Sequence, residues 1–219
     1  MPAAGKYRTS QRRSACLILD GVPDPTRVDF FFDSLCPWAW RTSLWIRAVA
    51  AQRPLDITWK PFSLAIVNNA DPDSDQARKG FLLGRTLIAA RRHSGNTAID
   101  RLYREFGDTI HKQKLDPLQP SVVADALTRA GLPSDLAQSA LTDATTEEDL
   151  RSSHAEGKAI GAFGVPTLVL DGSETGVFGP VIDPVPTGDD ALKLWDMTEW
   201  THRQPYLWEF KRDRHHRRP

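Results

Sequence analysis

The sequence predicts an α/β fold in which a β-α-β unit and a later β-β-α unit are separated by a block of helices. Three observations predict it. Strand-forming runs fall only toward the two ends of the chain, roughly a hundred residues between them carry helical periods alone, and a Cys-Pro pair stands where the first strand gives way to a helix. At 219 residues the chain buries one sizeable core, with room for one domain carrying a large insertion.

Val28 to Phe32, Val-Asp-Phe-Phe-Phe, is short and rich in aromatic residues, which suits a buried strand better than a helix, and it ends at Asp33-Ser34. From Pro37 to Arg53 the apolar residues Trp40, Leu44, Ala48 and Ala51, widened by Trp45 and Val49, repeat at a helical period, and Pro54 stops the helix. "DITWKPF", residues 56–62, alternates Ile57 and Trp59 with Thr58 and Lys60 as a second strand ending at Pro61. Helical patterns follow near residues 76–93, 98–112, 121–130, 134–141 and 147–160. Strand signals return at "VPTLVLDG", residues 165–172, and at "TGVFGPV", residues 175–181, with Asp171-Gly172 and the following Ser173 as a hairpin turn. A last helix is predicted from Asp189 to Thr201. This order is that of a thioredoxin-like fold with an inserted all-helical subdomain. The matching divisions are an N-terminal extension (1–27), the first part of the thioredoxin-like domain (28–64), the helical insertion (65–163), its second part (164–212) and a basic tail (213–219).

Charge and composition exclude several function classes. Residues 1–14 carry four cations and no acid, and residues 211–219 carry five cations against Asp213. With a formal net charge of zero the body between them is acidic, which opposes binding to nucleic acid. No window approaches the roughly 18 consecutive apolar residues of a membrane span. The apolar run from Ala15 to Leu19 falls short of the about 7–15 residues of a signal peptide's core. A soluble cytoplasmic protein is the expectation, with no membrane partner. Cys16 and Cys36 are the two cysteines of the chain, so a disulfide framework is excluded and a reducing compartment fits. The histidines do not stand with cysteines or acids at ligand spacing, which indicates no metal site. No phosphate-binding glycine loop or dinucleotide fingerprint occurs, so no bound nicotinamide or flavin is expected.

The chemistry converges on Cys36. The thiolate, not the thiol, is the nucleophile, and a cysteine at a helix N-terminus gains from unpaired backbone N–H groups and the helix dipole. Pro37 at the first helical position fits that start, because its missing N–H leaves nothing unpaired. The alternative is a buried structural cysteine. Ala39 stands where a dithiol site carries its second cysteine, so a mixed disulfide at Cys36 has no internal resolving thiol, unless the distant Cys16 replaces it. A monothiol site hands the mixed disulfide to a second small thiol, or uses its thiolate for binding or addition. Thioredoxin-type folds place a cis proline opposite the cysteine, where the backbone of the preceding residue bonds an extended thiol substrate. Gly164-Val165-Pro166-Thr167 before an apolar strand supplies it, and Val165-Pro166 is expected to be cis, a geometry rare outside proline. Trp38 faces away from the Trp40 and Leu44 stripe, which leaves two roles open, an aromatic wall beside the thiol or packing against the insertion. Asp33 is either a base for the thiol or a turn cap, and the cap is the favoured role.

"FFFDSLCPWAW", residues 30–40, taken with "GVPT", residues 164–167, resembles the DsbA family. The stretches "SLAIVNN" (63–69), "IHKQ" (110–113), "FGPV" (178–181), "ALKLWD" (191–196) and "EFKR" (209–212) are similar to its mycothiol-dependent nitroreductase branch, so the resemblance spans Val28 to Arg212. It implies a cytosolic enzyme that uses a low-molecular-weight thiol, mycothiol before glutathione, as co-substrate. The other partner is a small organic electrophile or a mixed disulfide, and no cofactor is tightly bound. Among the residues the resemblance implies Cys36 as nucleophile, Trp38 as a substrate-facing wall, Asn68 as a polar contact after the second strand and Pro166 as the cis proline. His111 is implied as a further contact, with a capping or surface role the alternative.

Ala39 departs from the pattern of that branch, which has a second cysteine there. The function implied is therefore a monothiol thiol-dependent oxidoreductase whose Cys36 is regenerated by an external thiol. The kappa-class glutathione transferases and their isomerase relatives share the fold and the insertion, with serine at the position of Cys36. They follow Phe-Gly with Ser-Asp to hold glutathione, whereas this chain has Pro180-Val181, which fits glutathione poorly. A third reading, outside catalysis, is a thioredoxin-fold binding protein without turnover.

Overall fold

The computed structural model describes residues 24–209 and 211–212. Cys16, most of the N-terminal extension and the basic tail at 213–219 lie outside the described residues, together with the expectations about them.

β1 (Thr26–Phe32), α1 (Pro37–Ala50) and β2 (Leu55–Pro61) form the expected β-α-β start. β1 and β2 run parallel, with Thr26 opposite Leu55 and Phe32 opposite Pro61, a pairing that requires the helical crossover α1 supplies. β3 (Thr167–Leu170) pairs antiparallel with β1, and β4 (Val177–Phe178) antiparallel with β3, giving the order β2-β1-β3-β4. β1 is central and covered on both faces, so Phe30, Phe31 and Phe32 are all buried and the strand reads as an apolar run rather than an alternation.

Between β2 and β3 every element is helical: α2 (Leu64–Val67), α3 (Asp75–Gly107), a π-helical turn (Asp108–Lys112), α4 (Pro120–Arg129), α5 (Leu136–Thr142) and α6 (Thr145–Ala159). α3 is broken at Ser94 and at Gly95, whose φ is 70° and ψ −161°, so the predicted segments 76–93 and 98–112 are two arms of one element and its continuation. The break aims Asn96 at β2. The Trp59 N–H donates to Asn96 Oδ1 at 2.8 Å, and Asn96 Nδ2 donates to the Ile57 carbonyl at 2.7 Å. One side chain thus gives the edge of β2 the pairing that a neighbouring strand would, and so blunts that edge.

α7 (Gly188–His202) closes the fold against α1, where Trp45 Nε1–H donates to the Ala191 carbonyl at 2.9 Å and its ring packs on Trp195. Toward the insertion, Phe32 stacks on Tyr103 of α3 at 3.8 Å. Arg47 of α1 lies 4.1 Å over the Trp59 ring and bonds Asp100 at 2.8 Å, which ties α1 to α3. Each large apolar side chain so enclosed contributes about 1.5–3 kcal/mol.

The structure corrects the second half of the sheet. β3 spans four residues rather than 165–172, because Pro166 supplies no N–H to a ladder and the positive φ at Asp171 (51°) and Gly172 (73°) ends the strand. β4 has two residues rather than seven, and it joins β3 through residues 171–176 instead of the three-residue turn at Asp171, Gly172 and Ser173. The first helix ends at Ala50 rather than Arg53.

Candidate active site

Cys36 is the N-cap of α1, with extended backbone (φ −83°, ψ 110°) and Pro37 at the first helical position. Its Sγ accepts from the Ala39 N–H at 3.4 Å and lies 3.6 Å from the Val165 carbonyl oxygen. The two contacts serve opposite protonation states. An amide donor favours the thiolate, whereas a carbonyl accepts only from the thiol. The Val165-Pro166 peptide is cis, as are Gly179-Pro180 and Asp183-Pro184. The cysteine is 6 % exposed, so the sulfur lies at the buried edge of the core.

Asp33 shapes the loop that carries Cys36. Its Oδ1 accepts from the Leu35 N–H at 2.8 Å, its Oδ2 from the Leu64 N–H at 2.7 Å, and its carbonyl from the Cys36 N–H at 3.0 Å. Both carboxylate oxygens are thus engaged by backbone, and the residue is the turn cap that joins the cysteine loop to α2. Burial pushes its pKa up to about 6, against the pull of the two N–H groups. At the adjacent residue, the Ser63 N–H donates to His154 Nδ1 at 3.3 Å, and burial pushes His154 down to about 4.

His111, on the π-helical turn, reaches the same loop. Its Nε2 is 2.9 Å from the Ser34 carbonyl oxygen, which assigns the hydrogen to that nitrogen, and burial lowers its pKa. Its ring lies 5.3 Å from Trp40, with Lys112 Nζ 5.5 Å over the indole. Trp40 is buried as its stripe position requires, but its indole is wedged against the insertion: a Cβ on Gly107 would overlap Nε1. Trp38 is half-buried, with the Arg41 guanidinium 5.4 Å from its ring and Arg41 paired to Asp183 at 2.9 Å. Asn68 is exposed at the C-terminal end of α2, the helix whose first residue Asp33 holds.

The structure therefore brings Cys36, Pro37, Val165, Pro166 and His111 to one loop cluster, with the half-buried Trp38 two residues along α1 from the sulfur and Asn68 at the end of α2. Sequence reasoning missed the hold of Asp33 on Leu64, the His154 contact to Ser63 and the Arg41 contact to Trp38. The Asp-x-Leu turn was a local signal for the first bond of Asp33. Nothing local points to the second. Among the described residues no helix is long and apolar enough to cross a membrane, and no three His, Cys, Asp or Glu are grouped to hold a metal ion.

A cysteine capping the first helix, a cis proline facing it and an all-helical insertion between the two halves of the sheet define the DsbA-like class of thioredoxin folds. Solved structures agree on that fold. The oxidoreductase DsbA from Xylella fastidiosa superposes with a TM-score of 0.56 at 18 % identity, over 84 % of this chain and 89 % of that one. The cytosolic disulfide reductase DsbM from Pseudomonas aeruginosa does so with 0.55 at 15 %, over 80 % and 98 %. A profile of the mycothiol-dependent nitroreductase Rv2466c family matches residues 35–212, and the chain belongs to that family. It is accordingly a thiol oxidoreductase by class. The uncharacterized protein Rv2286c of Mycobacterium tuberculosis (strain ATCC 25618 / H37Rv) is 36 % identical over 190 residues, 85 % of this chain and 82 % of that relative.

Proposed function

We propose that the protein is a monothiol oxidoreductase in which Cys36 attacks a disulfide or small electrophile and a low-molecular-weight thiol, mycothiol rather than glutathione, regenerates it. The carrying observation is the Cys36 sulfur set between the Ala39 N–H and the Val165 carbonyl, with alanine at position 39. The Cys36 thiolate attacks a disulfide R–S–S–R′, forming Cys36–S–S–R and releasing R′S⁻, which takes up a proton. A free thiol R″SH then loses its proton and attacks the R sulfur, forming R–S–S–R″ and returning the Cys36 thiolate. The protein ends with the electrons and protons it began with. The Ala39 N–H serves both steps, since it stabilises the sulfur as nucleophile and as leaving group.

The other residues hold the partners. Pro37 sets the helix start, the Val165 backbone beside cis Pro166 bonds the incoming sulfur chain, and Trp38, Asn68 and His111 form the walls. On this reading the thioredoxin-like parts at 28–64 and 164–212 supply the nucleophile and the cis proline, and the insertion at 65–163 supplies Asn68 and His111. Family membership supports mycothiol as the thiol, and the structure of DsbM with GSH, 16 % identical with a TM-score of 0.54, supports a small thiol as partner. A reducing, cytoplasmic setting keeps the Cys36 sulfur at the thiol level between turnovers.

Intact mass after exposure to mycothiol disulfide tests the reading. One adduct on Cys36 is expected, absent in Cys36→Ser and released by free mycothiol. No adduct in the unmodified chain overturns it in favour of a site whose bound thiol itself reacts, or of binding without turnover.

A further inference from the structure

Two loops that begin alike meet beside the cysteine: Phe163-Gly164-Val165-Pro166 ahead of β3, and Phe178-Gly179-Pro180 leaving β4. They are bonded to each other, the Gly179 N–H donating to the Pro166 carbonyl at 2.8 Å. Their phenylalanine rings stack with centroids 4.9 Å apart and planes 29° apart. Both rings nevertheless stay in solvent, Phe163 67 % and Phe178 40 % exposed. Gly164 permits the arrangement, because a Cβ there would stand 3.3 Å from Phe178 Cε2 and push the ring aside. Two stacked rings left in solvent offer one contiguous apolar face on which a further flat group can pack.

Its position relative to Cys36 says what. Val165, two residues beyond Phe163, presents the carbonyl that lies 3.6 Å from the sulfur. Pro180, two residues beyond Phe178, presents its carbonyl to Thr42 Oγ1 at 2.7 Å, one helical turn past Trp38 on α1. The loops that carry the paired rings thus reach α1 and the thiol on the cis-proline side, and Trp38 with Arg41 lies on the α1 side. Neither 162–166 nor 177–181 contains a charged residue, so an ionic ligand finds no counter-charge within these loops. A polar thiol gains little on bare rings. A flat uncharged ring gains both apolar contact and aromatic stacking there.

We propose that Phe163 and Phe178 form a shelf for an uncharged aromatic group on the electrophile that Cys36 attacks, and so determine specificity for that co-substrate rather than for the thiol. This rests on the reading of Cys36 as nucleophile. The test compares the unmodified chain with the double variant Phe163→Ser/Phe178→Ser, using two disulfides, the aromatic uncharged dithiodipyridine and the aliphatic dithiodiethanol. The rate of Cys36 modification is followed by mass spectrometry of the peptide that carries it, which separates it from Cys16. The aromatic-to-aliphatic rate ratio is expected to fall about tenfold in the variant, and an unchanged ratio overturns the shelf.

A second measurement needs no reactive sulfur. With Cys36→Ser in both backgrounds, the Kd for the neutral dye N-phenylnaphthylamine is expected to rise about tenfold when both rings are removed, and an unchanged Kd overturns the shelf. If Cys36 reacts with neither disulfide, the thiol-exchange reading fails and the dye alone decides the shelf. Thermal melting of the double variant shows whether it folds. Should it not, Phe163→Ser at the more exposed ring carries both comparisons.

Discussion

At Cys36 the alanine three residues on is as informative as the sulfur. Ala39 is fully buried on the first turn of α1, and its N–H already points at Sγ from 3.4 Å. Residues three apart on a helix are neighbours, so Ala39→Cys sets a second sulfur beside the first. The variant is expected to form an intramolecular disulfide on oxidation and to trap less Cys36 adduct from an external disulfide, because attack within the site gains from effective concentration. Mass spectrometry of adduct and crosslink decides it. Equal adduct in both proteins, with no crosslink in the variant, removes the basis of the monothiol reading. The Cys-Pro start was legible from its local signature, and the cis proline only from its pairing with that start in a thioredoxin-type fold. The two-handed hold of Asp33 was not, since Leu64 is brought to it by the whole β-α-β unit.

Among the elements, those with a strong period were legible and those shaped by a single contact were not. β1, α1 and the amphipathic helices declare themselves through aromatic runs or helical spacing. The two-residue β4 and the break in α3 depend on partners far along the chain. Gly95 shows why: its φ of 70° with ψ −161° is a region open in practice to glycine alone, and it turns Asn96 onto β2. Apart from the adjoining backbone, nothing lies within 4 Å of a Cβ built on Gly95, so the cost of a side chain there comes from backbone conformation and not from crowding against other parts of the fold. Gly95→Ala is expected to lower stability by about 1–3 kcal/mol in urea unfolding. A loss below about 0.5 kcal/mol would show that the break relaxes without penalty.

Across the whole molecule, two titrating groups on one corner give stability opposite dependences on pH. Asp33 has a pKa of about 6 when folded against an ordinary 3.8, so between these values the folded protein keeps a proton that the unfolded chain has released. Its contribution is complete below about pH 4 and is lost as pH rises through 6. His154 is pushed from 6.5 down to about 4, and there the unfolded chain holds the extra proton, so its contribution is present above 6.5 and is lost as pH falls through 4. His111, lowered by its own burial, acts in the same direction as His154. The two senses meet at Ser63 and Leu64, whose successive N–H groups are held by His154 and Asp33. Asp33→Asn deletes the acid-favouring group and leaves the histidines. The variant loses an acceptor at every pH, so the slope rather than the offset carries the information. Relative to the variant, the unmodified protein is expected to gain about 3 kcal/mol on going from pH 7 to below pH 4. Urea unfolding across that range measures it. Parallel stability curves for the two proteins would mean that Asp33 titrates alike folded and unfolded, and its burial would then place no proton at this corner.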